Sequence, residues 1–74
     1  MPQLRITITK KEARTLYFFA AGLSAREIAE KEGIQETAIN MRVHRLRRVL
    51  GAKNRVHMIA KAFALRLIPN PEAK

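Results

Sequence analysis

Apolar residues recur every three or four positions along most of the chain, and glycines interrupt the pattern. The first segment of this kind carries Ala13, Leu16, Phe19 and Ala20, a spacing that places them on one face of a helix. Gly22 follows and is a typical helix terminator. The pattern therefore predicts a first amphipathic helix that ends near this glycine.

Two four-residue segments have the composition of a helix-capping box. One runs from Thr9 to Glu12 and the other from Ser24 to Glu27. In such a box the hydroxyl oxygen accepts a hydrogen bond from the backbone amide of the glutamate. The glutamate carboxylate accepts one from the backbone amide of the serine or threonine. The second box predicts a short helix that stops at Gly33.

Two further helices are predicted downstream. The third covers about 36–50 and ends at Gly51, and Asn54 is a suitable N-cap for a fourth over about 55–67. Two prolines then end helical structure and leave a tail at 69–74.

The predicted fold is all-α. Residues 1–8 are expected to form a short extended arm, because apolar and polar residues alternate from Leu4 to Ile8. Residues 9–68 are expected to form the four-helix domain, and residues 69–74 the C-terminal tail. At 74 residues the chain is expected to be a single domain without a second, ligand-sensing one.

The third helix is amphipathic. Its apolar stripe, expected to face the core, consists of Ile39, Val43, Leu46 and Leu50. The opposite arc is polar and cationic and consists of Thr37, Met41, His44 and Arg48, flanked by Asn40 and Arg45. A short second helix joined to this one through the Gly33 turn is a helix-turn-helix arrangement.

The charge indicates a polyanionic partner. Lysine and arginine number 15 against 6 acidic residues, a net charge of +9, and residues 41–55 carry six basic side chains and no acid. Such a balance points to nucleic acid or an anionic membrane surface. A charge kept only for solubility would mix the two signs more evenly, and a membrane-bound third helix would remove the stripe that closes the core.

Other classes of function find little support. The chain has no cysteine, no signal-peptide pattern and no apolar run of membrane-spanning length, so the expected compartment is the cytoplasm. Its two histidines, His44 and His57, have no partners at metal-ligand or catalytic spacing. We therefore expect no enzyme activity, no metal and no cofactor.

Five segments, at 8–12, 20–29, 32–35, 38–42 and 48–55, resemble the LuxR/GerE-type (FixJ- or NarL-like) DNA-binding domain of bacterial regulators. The family pattern runs approximately L-T-x-R-E, A-x-G-x-S-x-x-E-I-A, L-G-I-S-x-x-T-V-x-x-H and R-K-L-G-V-x-N-R. The register holds without a gap from residue 8 to residue 67. The resemblance implies a sequence-specific, double-stranded DNA-binding transcriptional regulator, bacterial or phage-encoded and associated with the nucleoid, that acts as a homodimer and reads the major groove with helix three.

The chain departs from this pattern at several positions. Gln35 replaces the usual serine cap of helix three, Ala38 a threonine, Arg42 a histidine and Glu32 a buried leucine. Because an unpaired buried carboxylate is costly, we expect Glu32 to be at an exposed edge or paired, with Arg42 as the candidate partner.

The DNA-contacting residues are predicted from the outward arc and its surroundings. The predicted base-reading residues are Asn40, Met41 and His44. The predicted phosphate contacts are Ser24, Arg26, Thr37, Arg45, Arg47, Arg48, Lys53 and Arg55.

Helix four carries two apolar stripes. The predicted core stripe consists of Val56, Ile59, Phe63 and Leu67. The second consists of Met58, Ala62 and Leu65, which the resemblance assigns to the dimer interface; the alternative is ordinary exposed apolar surface.

The alternative function is that of an interaction protein. A truncated, regulator-like interaction protein would pair with a full-length regulator or with RNA polymerase, like region four of sigma factors, and need not bind DNA. The G-x-N-R junction, the fourth helix and the intact basic face favour the DNA-binding regulator.

Overall fold

The computed structural model describes residues 8–69 and has four helices there. They are α1 (Lys10–Ala20), α2 (Ala25–Glu32), α3 (Glu36–Leu50) and α4 (Arg55–Ala64). The all-α fold is confirmed. Helix α4 ends short of its predicted end at 67, because the chain turns at Leu65 and Arg66 adopts a positive φ of 58°. Of the predicted arm only Ile8 is described, outside any helix; residues 1–7 and the tail beyond 69 lie outside the described residues.

Both predicted capping boxes are present. The Thr9 amide donates to Glu12 Oε1 at 2.9 Å, and the Glu12 amide donates to Thr9 Oγ1 at 3.1 Å. The box at Ser24 and Glu27 has the same pair of bonds, at 2.8 and 3.1 Å. Each cap satisfies amides that a helix start leaves unpaired, and contributes about 1 kcal/mol to stability.

Helix α3 begins without such a cap. Gln35 occupies the N-cap position but makes no side-chain capping hydrogen bond. At the ends of α2 and α3, Gly33 (φ 70°) and Gly51 (φ 66°) adopt the left-handed conformation that favours glycine. Asn54 caps α4 as predicted, its Oδ1 accepting the His57 amide at 2.8 Å.

Helix α3 lies at the centre of the fold, since α1, α2 and α4 all pack against it. Its predicted inward stripe is confirmed: Ile39, Leu46 and Leu50 are buried, and Val43 is half-buried against the core. The other buried apolar residues are Leu16, Phe19, Ala25, Ile28, Ala29, Met58, Ala62 and Ile68. Because the core holds α3 from three sides, its outward face has a fixed position.

The prediction for the two stripes of α4 was wrong for Val56, Met58 and Ala62. The rest of the predicted core stripe, Ile59, Phe63 and Leu67, is partly buried and packs against the core. Met58 and Ala62 are completely buried in the core, whereas Val56 is 77% exposed. The two stripes are similarly apolar, so their periodicity did not determine which one packs inward. Met58 and Ala62 therefore cannot form a dimer interface in the folded chain, and only Leu65 of that predicted set remains exposed.

A polar junction joins the first three helices. Nη1 of Arg42 in α3 donates to Glu32 Oε1 in α2 and to Thr15 Oγ1 in α1, both at 3.1 Å. Arg14 approaches the other carboxylate oxygen of Glu32 at 3.9 Å, and the Thr15 hydroxyl donates to the Lys11 carbonyl at 3.0 Å. The predicted pairing of Glu32 with Arg42 is confirmed.

Candidate nucleic-acid interface

An open groove of about 670 Å³ lies along the outward face of α3. It is lined by Glu12, Thr37, Asn40, Met41, Arg42, His44, Arg45 and Arg48. The fold thus brings the three predicted base-reading residues together with three of the predicted phosphate contacts. Met41 is 73% exposed, and an apolar side chain so open to solvent is available for contact with a partner.

Arg45 is paired with a buried carboxylate. Its Nη1 donates to Oε2 of Glu12, whose side chain is almost entirely buried, while about half of the Arg45 side chain is exposed. The other oxygen of Glu12 accepts the Thr9 amide. Arg45 therefore approaches the groove with its position constrained by α1.

Arg42 also lines the groove, but its guanidinium forms its hydrogen bonds inside the protein. Its side chain is only 20% exposed and is bound to Glu32 and Thr15. This arginine therefore orients α3 against α1 and α2.

Arg47 fixes the turn between α3 and α4. Its Nη2 donates to the Lys53 carbonyl at 2.6 Å, and its buried Nε has no hydrogen-bond partner. The Lys53 amide donates in turn to Nδ1 of His57 at 3.0 Å. His57 is half-buried, and by accepting this bond it stabilises the turn. The guanidinium of Arg47 is thus already bonded within the chain. Its predicted phosphate contact stays a prediction.

A smaller pocket of about 130 Å³ continues the interface toward this turn. It is lined by His44, Arg47, Arg48 and Ala52. His44 and Arg48 line both cavities, so the cationic surface extends from the middle of α3 to its C-terminal end.

Ser24 and Arg26 lie at the start of α2 and do not line the groove. Both are exposed, and Arg26 forms an ion pair with Glu30 at 3.7 Å. Hydrogen bonds from the Ser24 amide and with its side chain lower the pKa of Glu27 below its usual value of 4.5. The hydroxyl oxygen of Ser24 caps α2 by accepting a hydrogen bond from the Glu27 amide.

Arg55 and Lys53 lie at the start of α4 and in the turn before it, and both are exposed. The guanidinium carbon of Arg55 is 4.9 Å from the centre of the Phe19 ring, a cation–π contact that attaches α4 to α1. Neither residue lines the groove.

Glu12 lines the groove but was not among the residues predicted from the sequence. The capping box already explains why a glutamate occupies this position. The spacing of neighbouring residues cannot reveal a partner 33 positions away. Its pairing with Arg45 depends on how α1 crosses α3.

No helix within residues 8–69 has the length and apolar character needed to cross a membrane. In the same part of the chain, histidines and carboxylates form no cluster of three that would hold a metal ion.

The model of the GerE family, described as bacterial regulatory proteins of the luxR family, matches residues 7–62. No curated protein matches the chain. The family match covers all of α1, α2 and α3 and most of α4. The chain therefore belongs to the luxR family of bacterial regulatory proteins, a family of DNA-binding regulatory domains.

Proposed function

We propose that the protein is a sequence-specific regulator of transcription that inserts α3 into the major groove of double-stranded DNA. The observation that carries this proposal is the exposed groove on α3, where amide, imidazole, thioether and guanidinium groups are held over a buried apolar stripe. The major groove, about 12 Å wide, admits a helix, and its base edges offer hydrogen-bond partners to side chains of these kinds.

The residues of the interface divide into two roles in this proposal. Asn40, Met41 and His44 read base edges, with the Asn40 amide suited to adenine and Met41 to the thymine methyl group. Phosphates are contacted by Thr37 and Arg48 in the groove and by Ser24, Arg26, Lys53 and Arg55 around it. Phosphate contacts of this kind fix the position of the protein on DNA, and base contacts select the sequence.

The proposal includes a homodimer formed through the outward face of α4. Val56, Ala60 and Ala64 are exposed and four positions apart, so they form one ridge, with half-buried Ile59 and Phe63 beside it. Small alanines on such a ridge let two helices approach closely. One domain buries roughly 600–1,000 Å² on DNA, and a two-fold dimer reading inverted half-sites would double that area.

Selection of bound sequences from random double-stranded DNA tests the proposed function. We expect one motif to be enriched, and its affinity to fall steeply with salt concentration because cationic side chains release counterions from DNA. A variant with Arg48→Gln serves as a control: it should bind all sequences more weakly and enrich the same motif. Failure of the wild-type chain to enrich any sequence would contradict the proposal and would favour the interaction protein, which needs no DNA.

A further inference from the structure

We propose that Glu12 is a positioning residue that makes the contact of Arg45 with DNA selective. The inference rests on the proposed function and adds to it a residue from α1 that does not read DNA itself. Glu12 would hold Arg45 in the one position at which it meets a correctly docked duplex.

The carboxylate of Glu12 is fixed from two directions. Oε1 accepts the Thr9 amide at 2.9 Å within the capping box, and Oε2 accepts Nη1 of Arg45. The Glu12 backbone amide is bound to Thr9 Oγ1, which anchors the residue at its other end. Because the side chain is buried and both oxygens are occupied, the carboxylate cannot follow a moving guanidinium.

Arg45 has donors left for a ligand. Its side chain is 48% exposed and lines the groove, and a guanidinium carries five N–H groups in a rigid, planar arrangement. Holding one Nη in place therefore restricts the directions in which the others can point. Arg42 provides the contrast within the same helix, because its side chain is mostly buried and Glu32 and Thr15 engage it in the interior.

An arginine held in one position should contribute more to the affinity for the specific DNA sequence than to the affinity for random DNA. Non-specific binding depends on cations that adjust to phosphates in many registers. A guanidinium held by Glu12 meets its partner in the docked register alone, so it strengthens the specific complex and adds little to the others. Without Glu12 the same arginine would reach phosphates in every register.

Replacement of Glu12 by glutamine tests this inference. Glutamine can retain the capping bond to Thr9, since either residue serves in a capping box, but it removes the charge that holds Arg45. We expect Glu12→Gln to raise affinity for random DNA and to lower the ratio of specific to non-specific affinity roughly tenfold. The salt dependence of random-sequence binding should become steeper by about 0.9 in log–log slope, the increment for one added phosphate contact.

Two controls separate this effect from the loss of an acidic charge. Glu36→Gln removes an exposed charge at the start of α3 and should leave the ratio unchanged. In a chain that already carries Arg45→Gln, adding Glu12→Gln should have no further effect on the ratio. An unchanged ratio in Glu12→Gln, or an equal fall with and without Arg45, would overturn the inference.

Arg45→Lys is a second test of the inference, and it leaves the buried carboxylate of Glu12 with a cationic partner. Circular dichroism reports whether each variant is folded. Lysine keeps the charge but lacks the planar set of donors, so discrimination should fall while binding to random DNA is retained. Full discrimination by Arg45→Lys would overturn the inference even if Glu12→Gln does not fold. A wild-type chain that prefers no sequence would instead refute the proposed function, a result distinct from either variant's behaviour.

Discussion

Asn40 is the side chain whose replacement should change sequence preference most directly. It is exposed, lines the groove on α3, and carries both a donor and an acceptor in one planar amide. Bidentate bonding to adenine discriminates against other bases by roughly 1–3 kcal/mol. Asn40→Ala should therefore relax the preference at one base pair of each half-site.

Selection from random DNA with the Asn40→Ala variant checks this prediction. The remaining positions of the motif should keep their preferences, because Met41 and His44 are proposed to read them. An identical motif at every position would remove Asn40 from the base-reading set.

Ser24 controls the titration of Glu27 at the start of α2. Its hydrogen bonds hold the pKa of Glu27 below the usual value of 4.5, so the ionised carboxylate stabilises the folded state. This contribution is complete above the ordinary pKa and is lost as pH falls through the lowered one. Ser24→Ala keeps the backbone amide, the larger cause, and removes only the side-chain contribution, so it should raise the pKa of Glu27 part of the way toward 4.5. The acidic range over which the helix is stable should narrow accordingly.

The carboxyl carbon shift of Glu27, followed by NMR across acidic pH, measures this change. Thr9→Ala removes the corresponding hydroxyl from α1 and should leave the Glu27 midpoint where it is. If both variants move it equally, or if neither does, the Ser24 hydroxyl does not contribute to the lowered pKa of Glu27.

The junction of Glu32 with Arg42 and Thr15 acts at the level of helix packing. The two charged side chains are 9% and 20% exposed, so removing one would leave the other poorly solvated. Loss of one partner of a buried pair typically costs about 3–5 kcal/mol, whereas apolar replacement of both is often neutral or stabilising. Glu32→Leu should therefore destabilise the chain strongly, and the double variant with Arg42→Met should recover most of the loss.

Urea unfolding of the two single variants and the double variant measures this coupling. An additive result, with the double variant less stable than either single one, would show that the pair does not act as a unit. The α3 orientation would then depend on its apolar stripe alone.

The helices differ in how much of their placement could be predicted from sequence. The caps at Thr9, Ser24 and Asn54 were predictable because each depends on residues three positions apart. The outward face of α3, and with it most of the groove, was predictable because its apolar stripe is single and lies opposite charged residues.

The inward face of α4 was not predictable from its periodicity. Its two apolar stripes, one with Val56 and the other with Met58, are similarly hydrophobic, so their spacing alone does not say which of them packs inward. Met58 is completely buried and Val56 is 77% exposed, an outcome that depends on contacts with the rest of the core. For the same reason the Glu12–Arg45 pair, which links distant segments, could not be found from local spacing.

At the scale of the whole molecule, exposed apolar residues on α4 determine the proposed assembly. Val56 is 77% exposed and heads the ridge formed with Ala60 and Ala64. Val56→Glu should leave the monomer folded, because the side chain contributes little to the core. The added charge should prevent close approach of two ridges and lower operator affinity.

Sedimentation and operator binding, measured with and without DNA, check the assembly. Leu65→Glu is the matched control, since it adds the same charge to a 47% exposed residue at the C-cap of α4, outside the ridge. Full operator affinity and unaltered assembly in Val56→Glu would place the dimer contact elsewhere or show that one copy acts alone.

The uncapped start of α3 should affect how often the first turn of this helix opens, and therefore the cost of ordering it when DNA binds. The first-turn amides of α3 lack the side-chain acceptor that Ser24 gives to α2, so this turn should open more often, and its amides should exchange faster with solvent. Thr37, a proposed phosphate contact, lies in that turn, so closing the turn would account for part of the entropy lost on binding DNA. Gln35→Ser should slow the exchange before any DNA is added and reduce that cost by about 1 kcal/mol, whereas equal exchange rates in the two chains would mean that the turn is already closed.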